Sequence, residues 1–62
     1  MFGDQSGEAK ALFNSAQALE KLGEHEQAIS RGEVALHIFE TIEDPNATKV
    51  RTQLAEWRAA KP

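Results

Sequence analysis

Apolar side chains recur every three or four positions in three successive stretches of this chain, and two short breaks separate the stretches. That period fits helices. Residues three and four apart share one helical face, whereas a half-buried strand alternates with period two. In the first stretch Ala9, Leu12, Phe13, Ala16, Leu19 and Leu22 draw one stripe, which predicts a helix over residues 6–22. Asp4 or Ser6 can cap its first amides, Glu8 suits its positive end and Lys21 its negative end, and Gly23 supplies a left-handed stop. A second stripe of Ala28, Ile29, Gly32, Ala35, Leu36, Phe39 and Ile42 predicts a helix over residues 24–42, with Glu24 and Glu26 at its positive end. Val34 and Ile38 lie off that stripe, one turn apart, and give the helix a second apolar strip for a third element.

The third element follows at once. Asp44 can cap a new helix and Pro45 suits its first position, where the missing N–H is not needed. Ala47, Val50, Leu54 and Trp57 then line one face of a helix over residues 45–60. Both connections are short and no stretch alternates with period two, so the expected fold is all-α, a three-helix antiparallel array in up-down-up order within a single unit, 1–62. Ala16, Ala28, Gly32 and Ala35 place small residues where the first two helices meet. A mid-helix glycine costs about 1 kcal/mol relative to alanine, so Gly32 implies close approach of a neighbour such as Leu19.

Sixty-two residues bury only ~60% of the surface of their unfolded chain. The sequence has no cysteine to staple the fold through a disulfide or a thiolate zinc site. It also has no long apolar run and no basic segment leading into an apolar one at its start, so neither a membrane span nor a signal peptide is read and a cytoplasmic setting is expected. The net charge of −3 argues against nucleic acid. The charge is uneven: residues 1–44 carry Lys10, Lys21 and Arg31 against nine carboxylates, while residues 45–62 carry Lys49, Arg51, Arg58 and Lys61 against Glu56 alone. Solvated helix faces explain this asymmetry; complementarity to another copy or a partner is the sharper reading.

Leu12, Ala16, Leu19, Gly23, Ala28 and Ala35 stand at the spacings of a tetratricopeptide repeat, and with Asn14 the helix pair resembles that family. Gly32 and Ser15 stand where the family usually has a larger residue and a leucine. The stretch from Thr41 to Trp57 is similar to the junction in the longer repeats of kinesin light chains and bacterial signalling proteins, and Ala16 and Ala55 lie 39 positions apart (55 − 16). The third helix is then the first of a next repeat or a terminal cap with Val50, Leu54 and Trp57 as its core; Trp57, Arg58 and Pro62 favour the cap. Residues 1–7 resemble a loop between repeats, so the chain is expected to be the terminal piece of an array in a larger signalling or regulatory protein.

The resemblance implies a protein–protein interaction scaffold whose groove face would comprise Lys10, Phe13, Asn14, Gln17, Glu20 and Lys21, against the plainer reading of a polar helix face with one exposed aromatic. It implies a protein or peptide partner and no cofactor; a purely structural capping or self-assembly segment is the alternative. The lysine/asparagine pair with which chaperone adaptors of the family hold a C-terminal carboxylate is missing, since Phe13 and Gln17 occupy those positions. One and a half repeats leave the face that carries Phe13 uncovered, so a homodimer or higher homo-oligomer is expected, exchange of the third helix between chains being one route.

No enzyme is read. His25 and Glu26 begin an H-E-x-x-H pattern, but Ile29 stands where the second ligand belongs and His37 lies twelve residues on, so both histidines are read as surface residues and no metal is expected. Ser6, Ser15 and Ser30 lack a nucleophile motif, and the carboxylates near helix ends are explained by capping and dipole effects. Trp57 is a candidate hot spot or, as the preferred reading, a lid over Val34, Ile38 and Leu54.

Overall fold

A computed structural model describes residues 4–60 and contains three helices, α1 (Gln5–Lys21), α2 (His25–Thr41) and α3 (Asn46–Ala60), with no strand among the described residues. The protein is all-α, with its helices in up-down-up order. α2 is the central element, packed extensively against α1 and also against α3, whereas α1 and α3 meet far less. A cleft therefore runs between the two outer helices, with α2 beneath it.

Each helix starts and stops where the side-chain chemistry favours it. The Asp4 carboxylate accepts the Gly7 amide at 3.0 Å and caps α1, while Ser6, the alternative cap, is helical and donates to Asp44 Oδ2 at 3.3 Å. Of residues 1–7, read as an inter-repeat loop, the first three lie outside the described residues, and the remainder form the cap and first turn of α1. Lys61 and Pro62 also lie outside them. At the far end of α1, Gly23 N–H bonds to the Glu20 carbonyl and Glu24 N–H to the Leu19 carbonyl, with Gly23 at φ 86°. That is a Schellman motif, and it uses the backbone freedom of glycine. Leu22, which the stripe assigned to the core, is 76% exposed because it sits at the C-cap, after the last helical residue.

The end of α2 repeats this geometry without a glycine. Glu43 N–H bonds to the Glu40 carbonyl, Asp44 N–H to the Phe39 carbonyl, and Glu43 takes the left-handed position at φ 56°. Asp44 then caps the third helix, its Oδ1 accepting the Asn46 amide at 2.8 Å. A left-handed L-residue costs about 1–2 kcal/mol, only part of which glycine returns through its greater freedom in the unfolded chain. Glu43→Gly should therefore stabilise the fold by about 0.5–1 kcal/mol, a rise in Tm of roughly 2–8 °C by scanning calorimetry. A fall in Tm would show that Glu43 is not left-handed in solution.

The core follows the stripes. Ala9, Phe13 and Ala16 of α1, Ala28, Gly32, Ala35 and Phe39 of α2, and Ala47, Val50, Leu54 and Trp57 of α3 are buried, with Leu12, Leu19, Ile29, Leu36, Ile38 and Ile42 packed around them. Gly32 does allow a close approach, but the neighbour comes from α3. A β-carbon there would lie 2.7 Å from Leu54 Cδ2 and 3.6 Å from Trp57 Cζ3, so Leu54, and not Leu19, occupies the missing volume. Val34, placed under Trp57 by the sequence reading, is 49% exposed instead. The basic end segment has an internal use as well: Arg51 pairs with Glu40 at 2.6 Å and Arg58 pairs with Glu33, so two exposed ion pairs join α3 to the acidic α2. Exposed pairs of this kind contribute little stability, commonly under about 1 kcal/mol each.

Candidate partner-binding cleft

The walls of the cleft come from two amphipathic helices whose apolar stripes are turned towards α2, which leaves their flanking polar residues along the rim. Phe13 of α1 and Trp57 of α3 meet here, ring centroids 6.1 Å apart and planes inclined by 29°. They are 9% and 7% exposed. The expectation that Phe13 would stand open is thus corrected. The aromatic ring of α1 is covered by the indole of α3, because the third helix returns to the first across the top of α2.

Among the described residues, two hollows lie in the cleft. The first, of about 220 Å³, is lined by Lys10, Phe13, Asn14 and Gln17 from α1, by Asn46, Lys49 and Val50 from α3, and by Phe39 from α2. The second, of about 260 Å³, is lined by Gln17, Glu20 and Lys21 from α1 and by Gln53 and Trp57 from α3. Gln17 borders both, so they follow one another along α1. All six residues assigned to the groove face, Lys10, Phe13, Asn14, Gln17, Glu20 and Lys21, line one or both hollows. Five do so as polar side chains and Phe13 as part of the floor.

The α3 wall was not assigned from sequence. Its polar residues are Asn46, Lys49 and Gln53, and a signal for two of them existed. The interval between Ala16 and Ala55 also separates Lys10 from Lys49 and Asn14 from Gln53. Applied to the groove positions as well as to the small residues, that interval would have found them.

The hollows differ in charge. The first has Lys10 and Lys49 on opposite walls and no carboxylate in its lining. The second holds Glu20 beside Lys21. Glu20 is further engaged by His25, whose Nδ1 lies 2.9 and 3.2 Å from the two carboxylate oxygens. The histidine is half-buried rather than a surface residue, and its Nε2 is buried without a hydrogen-bond partner among the described residues. His37 is exposed on α2. No group of three or more His, Cys, Asp or Glu side chains that could hold a metal ion occurs among the described residues, and none of their helices is long and apolar enough to cross a membrane.

Asn14, Gln17, Asn46 and Gln53 each carry an amide able to donate to and accept from a peptide backbone, and the buried rings supply an apolar floor. No family model, no curated protein and no solved structure matches the chain.

Proposed function

We propose that the chain is a protein-interaction scaffold of the tetratricopeptide type, in which the cleft between α1 and α3 receives a segment of a partner protein. The observation that carries the reading is the gathering of the six groove-face residues along two consecutive hollows, opposite a second wall with the same kinds of side chain. Helical-repeat proteins bind through concave surfaces built from successive equivalent helices. Here α1 and α3 would be those equivalents, with α3 as a terminal cap and the parent a larger signalling or regulatory protein.

A second reading, a capping or self-assembly segment forming a homo-oligomer, draws on a different observation. Leu22 and Val34 are large apolar residues left exposed outside the cleft, and burying them against another copy would be favourable. One pair of substitutions separates the two readings. Asn14→Ala with Gln17→Ala should weaken capture of peptides selected from a random library by about tenfold or more, at the scale of two lost hydrogen bonds, while sedimentation and thermal melting stay as in the parent chain. Capture unaffected by both substitutions would sink the first reading and leave the second.

A further inference from the structure

We propose that α3 exchanges between two copies of this chain, with residues 43–45 as the hinge, so that each copy lays its third helix on the α1–α2 pair of the other. Such exchange needs neither a ligand in the cleft nor contact through Leu22 and Val34. It follows from a difference between the two connections. The α1–α2 turn is closed by Gly23 at φ 86°, a conformation that glycine adopts without strain. The α2–α3 turn is closed by Glu43 at φ 56°, where an L-residue is strained. Only the second turn gains by opening. A short hinge under strain shifts the balance from the closed form towards the exchanged one, because opening frees Glu43 while the helix contacts are made again with the other copy.

The third helix can leave as a unit. Asp44 Oδ1 accepts the Asn46 amide and the Asp44 carbonyl accepts the Ala47 amide, so the cap of α3 lies on its own side of the hinge. Pro45 keeps the opened connection from becoming helical, since the residue before a proline is disfavoured in that region. Opening breaks two backbone bonds, from Glu43 N–H to the Glu40 carbonyl and from Asp44 N–H to the Phe39 carbonyl. Glu43 is exposed, so water takes up part of that loss. The α1–α2 pair, which packs more extensively than α2–α3, stays together. Val50, Leu54 and Trp57 then bury against the other copy, and Arg51 and Arg58 find its equivalents of Glu40 and Glu33. Each cleft of the exchanged pair takes its α1 wall from one copy and its α3 wall from the other.

Two charge-reversed versions of the 62-residue chain test the exchange. In one, Arg51→Glu with Arg58→Glu sets an acidic α3 against the acidic α2; in the other, Glu33→Arg with Glu40→Arg sets a basic α2 against the basic α3. All four side chains are about half exposed, so the core is untouched. Each version alone places like charges across α2 and α3, whether it is closed or exchanged with its own kind. Mixed in equal amounts, exchange restores every pair, so a one-to-one heterodimer should form and melt above either version alone. Native mass spectrometry and sedimentation read the mass; if a version is unfolded by itself, helicity gained on mixing reads the same event. Adding Glu43→Gly to both versions relaxes the closed turn in each chain and should raise the heterodimer's Kd about tenfold. Glu43→Pro, which cannot take a positive φ, should lower it. No heterodimer up to the solubility limit would overturn the proposal, as would a heterodimer indifferent to both changes at Glu43. Dimers that form without preference between the versions, and that Leu22→Ser with Val34→Ser abolishes, would also overturn it and place assembly on the outer surface instead.

Discussion

Trp57→Ala is expected to unfold the protein or lower its stability by about 3–5 kcal/mol, the cost of truncating a buried aromatic. A small domain without disulfide or metal has a total stability near the low end of ~5–15 kcal/mol, so the loss is comparable with the whole. The position is sensitive because the indole serves all three helices. It belongs to α3, stacks on Phe13 of α1, and lies against the space left by Gly32 of α2. Since α1 and α3 otherwise meet little, removing the ring separates the walls of the cleft as well as opening a cavity. Far-ultraviolet circular dichroism and thermal melting read the effect, and Trp57→Phe should fall between the parent and alanine. A melting curve unchanged by Trp57→Ala would mean that α3 does not pack as described.

Leu54→Ala is expected to cost about 2–5 kcal/mol and to reverse the effect of a second substitution, Gly32→Ala. Alone, Gly32→Ala gains about 1 kcal/mol of helix propensity. It also sets a β-carbon 2.7 Å from Leu54 Cδ2. Leu54 is completely buried and has little room to turn aside, so overpacking of about 1–3 kcal/mol outweighs the gain and the single variant is destabilised. In the Leu54→Ala background the same β-carbon enters vacated space and the propensity gain remains, so the second substitution stabilises. Urea denaturation of the two single variants and the double variant should give a coupling energy of about 1–3 kcal/mol. Additive effects would contradict the contact.

The sequence stripes made the helices legible because apolar period and end chemistry agree. Asp4, Gly23 and Asp44 act at or beside the predicted ends, and the observed bounds differ from expectation by a residue. Pair identities were less legible. The stripe of α2 says that Gly32 is covered, but the choice between Leu19 and Leu54 depends on which side of α2 the third helix takes. The same uncertainty misplaced Val34 and Phe13. A period of three and four gives a face, while the rotation of one face against two neighbours is fixed by packing of all three helices. The left-handed Glu43 carried no residue-type signal, since glycine is the usual marker. The burial of His25 near Glu20 depends on how the turn around Gly23 folds back, five residues separating the pair. For the cleft, the α1 wall was readable by resemblance and the α3 wall was recoverable only from the 39-position interval.

The most direct test of the cleft as a binding surface is a titration of isotope-labelled protein with a library-selected peptide, followed by amide and indole resonances. The account predicts shifts concentrated at residues that line the two hollows, among them the side-chain amides of Asn14, Gln17, Asn46 and Gln53 and the indole of Trp57, with Leu22 and Val34 unmoved. Shifts centred on Leu22 and Val34, with the cleft resonances still, would contradict it.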